Sequence, residues 1–331
     1  MKYILIGGSG FIGQHFKKVL NNDLLANLDI NTGINSSDFI SCNILDNSQL
    51  DCFSMKSKDE VTLIHLAAVH FDFQKKFFET NVDGTKNILR FISKHKNIKK
   101  FVFFSSVATY GNSKFGKDES AEQIPLNDYG KSKLEAEKII FDWLKTHNKV
   151  QTIIIRPAVV FGEYNFGNVF NLFQQIRSKV FAIIGNGKNI KSIAYAGNIV
   201  NSVMFCLDKV NDPLFIYNYC DYPQKNISEQ SNIISYLIGH KKSYKIPLWI
   251  TKFLTIPIDF FEFILKKDLK INSMRVEKFT VPTYFIADRI RERGYKQKTT
   301  IIDSFRRTNT WITSNNISLL RKLWIKKASK L

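Results

Sequence analysis

Lys2-Tyr3-Ile4-Leu5-Ile6-Gly7-Gly8-Ser9-Gly10-Phe11-Ile12-Gly13 opens the chain. A short apolar run of strand character passes directly into glycines at positions 7, 10 and 13. Beyond them Phe11, Ile12, Phe16, Val19 and Leu20 recur at helical spacing, which predicts an amphipathic helix with these side chains on its apolar side. A strand, a tight turn and a helix start make a phosphate-binding corner, because a helix N-terminus presents unpaired N–H groups and a partial positive charge. Gly7 permits the turn, Gly10 lets a pyrophosphate approach the backbone, and Gly13 lets helix and strand pack closely. With Phe11 and Ile12 these glycines form the expected start of a dinucleotide site.

Asp29 closes a second apolar run, Leu24 to Asp29. An acid there bonds the adenosine ribose hydroxyls and repels a 2′-phosphate. Ile30, Asn31 and Thr32 supply no cation to hold such a phosphate, so NAD(H) is favoured over NADP(H). Asn43 and Ile44 follow the next short run, where the adenine edge or a plain turn would use them. Apolar runs at Val61 to Ala68, Lys100 to Ser106 and Thr152 to Val160 alternate with helical patterns at Asn81 to His95 and Asp128 to Thr146. The alternation predicts an α/β fold: a Rossmann-type doubly wound parallel sheet with a smaller C-terminal α/β substrate lobe. Residues 1–162 form the expected NAD(P)-binding domain. Residues 163–312 form the lobe, interleaved with returns to the main sheet.

Residues 313–331 read as a basic amphipathic tail. Ile317, Leu320, Leu323 and Trp324 fall near helical spacing among Arg321, Lys322, Lys326, Lys327 and Lys330. Such a helix suits peripheral contact with an anionic bilayer, or a solvated terminus. The chain is 331 residues long and 44% hydrophobic, enough for a large core. Its net charge of +19 is uneven: residues 1–150 carry 20 basic and 17 acidic side chains, residues 151–331 carry 28 and 12. The basic half suits an anionic ligand, an acidic membrane surface or a solvated face. No DNA- or RNA-binding motif is present, so nucleic acid is not an expected partner. The longest apolar stretch, Ile246 to Leu265, is broken by Pro247, Lys252, Pro257, Asp259 and Glu262, which predicts no membrane-spanning helix. The first apolar run ends in glycines and is no signal peptide. Cys42, Cys52, Cys206 and Cys220 form no close pair, which predicts no metal site, no disulfide framework and a reducing, cytoplasmic location.

Tyr129 and Lys133 stand four residues apart on one face of the long helical pattern. A lysine cation beside a phenol favours the phenolate, so Tyr129 is expected to have a lowered pKa and to move protons near neutral pH. Ser105-Ser106 ends a strand upstream. A hydroxyl, a tyrosine and a lysine behind a dinucleotide loop suit hydride transfer at a carbonyl. Alongside them stand His65-Leu66-Ala67-Ala68, Asn81-Val82-Asp83-Gly84-Thr85, Tyr110-Gly111, Arg156-Pro157, Phe161-Gly162, Gly185-Asn186-Gly187 and Lys191-Ser192-Ile193-Ala194-Tyr195. In these motifs the chain resembles the extended short-chain dehydrogenase/reductases, the group of nucleotide-sugar epimerases, dehydratases and reductases. The resemblance implies that Tyr129 is the general acid/base, that Lys133 holds the nicotinamide ribose and tunes Tyr129, and that Ser106 bonds the reacting oxygen. It further implies that Leu66, Ala67 and Ala68 line the cofactor, that Asn168, Lys191 and Arg275 bind the diphosphate of a nucleotide sugar, that Asn81 is a packing residue, and that the protein is a homodimer.

Departures from the family pattern narrow the reaction. Dehydratases of this group place Asp-Glu after the hydroxyl pair, where this chain has Val107-Ala108-Thr109, so dehydration is not expected. Many 4-epimerases follow His-Leu-Ala-Ala with a Gly-Val-x-x-Ser segment, where this chain reads Val69-His70-Phe71-Asp72-Phe73-Gln74. UDP-galactose 4-epimerases carry Asn-Pro in place of Arg156-Pro157. The expected activity is NAD(P)H-dependent reduction of the C4 keto group of a nucleotide-linked 4-keto-6-deoxyhexose, such as a dTDP sugar, in surface polysaccharide (O-antigen) synthesis. The alternative is an NAD-dependent 4-epimerase of a UDP-hexose or UDP-N-acetylhexosamine. A non-catalytic dinucleotide-binding protein is the third reading, and the retained Tyr129 and Lys133 disfavour it.

Overall fold

The computed structural model describes residues 1–331 except 33–37, 54–58, 71–75, 252, 254–279, 319 and 322–331. In chain order the first half runs β1 (Lys2–Ile6), α1 (Phe11–Leu20), β2 (Leu24–Asp29), β3 (Phe39–Ser41), α2 (Asn47–Cys52), β4 (Val61–His65), α3 (Gly84–Lys94), β5 (Ile98–Phe104), β6 (Ser113–Lys117) and α4 (Asp128–Leu144). The second half runs β7 (Gln151–Pro157), β8 (Val159–Phe161), α5 (Asn168–Arg177), β9 (Ala182–Ile184), β10 (Ile193–Tyr195), α6 (Ala196–Lys209), β11 (Leu214–Tyr219), α7 (Ile227–Leu237), β12 (Tyr244–Ile246), β13 (Thr283–Phe285), α8 (Arg289–Glu292) and α9 (Ile301–Ser314).

Seven strands form one parallel sheet in the order β11-β7-β5-β4-β1-β2-β3. A parallel sheet is covered on both faces, so its central strands read as near-continuous apolar runs. Successive residues divide between two cores as the period-two geometry requires. Leu5, Ile64, Val102 and Ile153 pack with Phe16, Ile199 and Val203 on one face. Ile4, Leu63, Phe101 and Ile154 pack with Ile88, Ile92 and Ile140 on the other. Strand order reverses at β1, which opens a crevice beyond the carboxyl ends of β1 and β4.

The second lobe is aromatic. Phe161, Phe166, Phe170, Phe173, Ile234, Phe305 and Trp311 bury one cluster between α5, α7 and α9. Three two-stranded pairs, β10-β8, β12-β9 and β13-β6, stitch it together, and β11 returns to the edge of the main sheet.

Several local expectations are corrected. The strand expected over Thr152 to Val160 is two strands: β7 pairs with β5 and β11, and β8 leaves the main sheet to pair with β10. Pro157 has no N–H to extend the ladder with β5 beyond Ser105. The helix expected from Asn81 is a π-helical turn over Glu79–Asp83 that feeds α3, and the next helix stops at Leu144 rather than Thr146. Val19 is half exposed, because the buried face of α1 is centred on Gly13, Phe16, Lys17 and Leu20 and Val19 sits at its edge. Of the expected basic tail, Ile317 and Leu320 pack partly onto the lobe's own aromatic cluster, and 322–331 lie outside the described residues. Among the described residues no helix is long and apolar enough to cross a membrane, and no group of His, Cys, Asp or Glu is arranged to hold a metal.

Candidate active site

The glycine corner forms as its sequence demands. Gly7 has φ +80°, and a Cβ there would stand 2.6 Å from the Ala67 backbone. The close approach joins the loop after β1 to the loop after β4, where the Leu66 and Ala67 N–H groups both donate to the Ile6 carbonyl (2.8 and 2.9 Å). Gly10 is the N-cap of α1, no side chain caps the helix, and its first turn carries no acid. Phe11 and Ile12 stay partly exposed there, while Gly13 is buried. Asp29 reaches back to the loop: its carboxylate accepts from the N–H groups of Ser9 (2.9 Å) and Asn31 (3.0 Å). An uncapped, acid-free helix start facing a carboxylate suits a pyrophosphate and a ribose. Leu66, Ala67 and Ala68 are partly exposed on the same rim.

Two expected cofactor residues are placed differently. The Ile44 side chain is buried in the core against Gly84. Asn43 is exposed, and its carbonyl oxygen accepts from the Leu45 N–H at 3.0 Å, as a turn residue would. Its side-chain oxygen is therefore engaged within its own loop.

Ser106, Tyr129 and Lys133 come together past the end of β5. Ser106 is extended and caps a 3-10 turn, Val107–Tyr110, by accepting from the Ala108 N–H (3.1 Å). Asn127 caps α4 through the Gly130 N–H (2.8 Å). Gly130 rests so close to the Ala108 carbonyl that a Cβ would stand 2.5 Å away. That contact sets the first turn of α4, and with it Tyr129, against the segment carrying Ser106. Burial raises the Tyr129 pKa above 10, and the Ser106 hydroxyl pulls it partly back. This corrects the expectation of a lowered value. Lys133 does not act on the phenol here; its Nζ donates to the Phe104 carbonyl (2.8 Å) and lies 4.9 Å from the Phe103 ring centre. Burial brings the Lys133 pKa down to about 7, and Glu137 opposes that fall.

Glu137 is a residue that sequence reasoning missed. It continues the face of Tyr129 and Lys133 by one more turn, so helical spacing could have found it. It is fully buried and forms a two-point pair with Arg156, Nε to Oε1 at 2.9 Å and Nη2 to Oε2 at 2.5 Å. Ser105 donates to the same carboxylate. Arg156 Nη1 donates to the Tyr110 hydroxyl (2.6 Å), which donates to Asn218 Oδ1 (2.9 Å) on β11. Burial would lower the arginine's pKa, but Glu137 and Tyr110 more than reverse this, so the guanidinium stays charged. Arg156 is thus turned into the protein's interior. Its presence where UDP-galactose 4-epimerases carry Asn alters the support of the site rather than its lining.

Asn81 braces the other side. Its carboxamide exchanges hydrogen bonds with the Val69 backbone (2.9 and 3.0 Å) and donates to the Ser132 hydroxyl of α4 (2.9 Å). The loop after β4 and helix α4 are therefore tied by one side chain. Phe77 packs edge-on against Tyr129, with ring centres 6.4 Å apart. The expected diphosphate residues lie in the second lobe. Asn168 is the exposed first residue of α5, and Lys191 donates its Nζ to the Val281 carbonyl (2.6 Å). Arg275 lies outside the described residues.

The model of the NAD dependent epimerase/dehydratase family matches residues 3–219. The chain is 33% identical over 314 residues to N-acetyl-alpha-D-glucosaminyl-diphospho-ditrans,octacis-undecaprenol 4-epimerase of Escherichia coli O157:H7, covering 92% of this chain and 93% of the relative. Among solved structures it is similar to dTDP-glucose 4,6-dehydratase of Bacillus anthracis in complex with NAD (TM-score 0.72, 20% identity, 95% and 97% coverage). It is equally similar in fold to UDP-glucuronic acid 4-epimerase of Bacillus cereus in complex with NAD (TM-score 0.71, 19% identity, 95% and 99% coverage).

Proposed function

This chain belongs to the NAD dependent epimerase/dehydratase family, and we propose that within it the protein is a 4-epimerase of an N-acetylhexosamine joined through diphosphate to a polyprenyl lipid. The observation that carries this reading is the identity of 33% across 92% of the chain to an enzyme whose name states that reaction. The ketoreductase favoured by the sequence motifs gives way to it. One departure that disfavoured epimerisation, Arg156, is buried away from the site, and the other falls partly on 71–75, outside the described residues. The strongly basic second half of the chain agrees with a diphosphate-linked ligand.

NAD is the cofactor; the uncapped start of α1, Asp29 and the rim of Leu66 to Ala68 would hold it, and when bound it would supply reversible oxidation at C4. Tyr129 takes the proton of the sugar's 4-hydroxyl and later gives it back. Ser106 fixes that oxygen and offsets part of the burial cost of the phenolate. Lys133, one turn along, is held on the Phe104 carbonyl here and would favour the phenolate only once its ammonium is turned toward Tyr129. Between the two proton transfers the 4-keto sugar turns its other face to the site. No carboxylate stands at positions 107–109 to remove a further proton, so the reaction stops at inversion rather than elimination.

The test is incubation of purified protein with polyprenyl-diphosphate N-acetylglucosamine and, separately, UDP-N-acetylglucosamine. Interconversion of the C4 epimers of the lipid-linked sugar, without net consumption of NADH, supports the reading. Stoichiometric NADH oxidation by a 4-keto sugar nucleotide, with no epimer formed, overturns it. Tyr129→Phe should lower kcat by about 10²- to 10⁴-fold while NAD still binds.

A further inference from the structure

At one end of the second lobe β9 pairs with β12, Ala182 opposite Tyr244 and Ile184 opposite Ile246. Around this pair the chain exposes Val180 (73%), Tyr236 (80%), Tyr244 (78%), Trp249 (72%) and Phe253 (71%). Single exposed apolar side chains are ordinary, but a group of large ones in two joined segments marks an interaction surface. The segments are fastened to each other: the Gly185 N–H donates to the Ile246 carbonyl (2.8 Å), and His240 Nδ1 bonds the Ile176 carbonyl (3.2 Å). Trp249 lies within a turn in which the Pro247 carbonyl accepts from the N–H groups of Ile250 and Thr251, and Phe253 stands two residues beyond it.

The charge around these side chains has one sign. Lys179, Lys241, Lys242 and Lys245 are exposed in the same two segments. No Asp or Glu occurs between Glu163 and Asp208, or between Glu229 and Asp259. Elsewhere some exposed lysines are neutralised locally, as are Lys86 by Asp83, Lys131 by Asp128 and Lys145 by Asp142. None of the four lysines here is paired with an acid among the described residues. A merely solvated face needs the lysines but not the aromatics. A bilayer interface takes both: Trp and Tyr sit at the level of the headgroups, and lysines meet anionic lipid phosphates.

We propose that this end of the lobe docks the protein on an anionic lipid bilayer, with Trp249 and Phe253 among the headgroups and Lys179, Lys241, Lys242 and Lys245 against the lipid phosphates. The inference is independent of the sugar reaction, because it is tested without substrate. The full chain is sedimented with phosphatidylcholine vesicles, with and without phosphatidylglycerol. Sedimentation should require phosphatidylglycerol and weaken as salt rises. Each lysine near an anionic surface contributes about fivefold to partition, so Lys241→Gln, Lys242→Gln and Lys245→Gln together should lose on the order of 100-fold. Trp249→Ser with Phe253→Ser should lose roughly tenfold or more. Melting temperature and circular dichroism of both variants should match wild type, since every replaced side chain is exposed. Three outcomes overturn the proposal: no sedimentation of wild type, equal sedimentation of all three proteins, or loss in the lysine variant alone. The last would mark a purely electrostatic surface for an acidic protein or nucleic acid.

Discussion

Lys133→Met should stabilise the protein stripped of nicotinamide, by an amount that shrinks as pH rises. Lys133 is 2% exposed, and burial brings its pKa from 10.5 down to about 7. The unfolded chain keeps the ordinary value. Between these values the unfolded state holds more protons than the folded one, so wild-type stability from this group increases from pH 7 towards 10.5. Below pH 7 both states are charged and the folded protein bears the whole burial cost, about 5 kcal/mol at pH 6. At pH 9 the folded lysine is neutral, and the cost falls to about 2 kcal/mol. Methionine fills a similar volume without the charge and removes both costs. It also leaves the Phe104 carbonyl without the Nζ donor, a penalty of about 1–3 kcal/mol at any pH. The net gain is therefore roughly 3 kcal/mol at pH 6 and close to zero at pH 9. The difference between the two, about 3 kcal/mol, does not depend on the carbonyl penalty. Urea unfolding of wild type and variant at both pH values, followed by tryptophan fluorescence, measures it. An equal effect at pH 6 and pH 9 would refute the reasoning. The variant should lose activity, so the lysine is kept at the expense of the apoprotein's stability.

Glu137→Gln should lower stability by about 3–5 kcal/mol, because the buried Arg156 loses its carboxylate. It should also lower the Lys133 pKa further, since Glu137 is the charge holding it up. A thermal melt reads the first effect, and a shift to lower pH of the Lys133 limb in the pH–rate profile reads the second. A variant that melts lower but keeps the wild-type profile would leave Glu137 a structural residue only. Gly7→Ala places a Cβ against the Ala67 backbone at φ +80°. It should weaken NAD binding by about tenfold or more and cost more than about 1 kcal/mol of stability, read by calorimetric titration and unfolding. Wild-type affinity would show that the two loops need not touch to hold the cofactor.

What could be read from the sequence was whatever is local. The glycine corner is a strand, a turn and a helix start within twelve residues, and every force that shapes it acts at short range. Tyr129 and Lys133 were legible for the same reason, since helical periodicity alone puts them on one face. The direction of the Tyr129 pKa was not legible. It depends on burial by chain segments far away, and the cation expected to lower it is turned to the Phe104 carbonyl. Ile44 was misplaced because a residue beside a turn has two available sides, and only Gly84, forty positions on, shows which is the core. The split of β7 from β8 was written in Pro157, but the destination of β8 was not, since its partner β10 follows after α5 and β9.

The return of β11 to the sheet edge has a consequence for how the protein is made. All three reactive side chains are synthesised by residue 133, and Arg156 meets Glu137 soon after. Asn218, the acceptor for Tyr110, and the strand that covers β7 arrive some sixty residues later. Until then β7 is an open edge, a template on which a wrong strand can pair. On the ribosome the first half therefore waits, with the Tyr110 hydroxyl lacking its acceptor and β7 uncovered, for a segment encoded in the other half. A fragment ending at residue 162 should be a poor folder and prone to aggregate, although it holds every residue assigned to proton transfer.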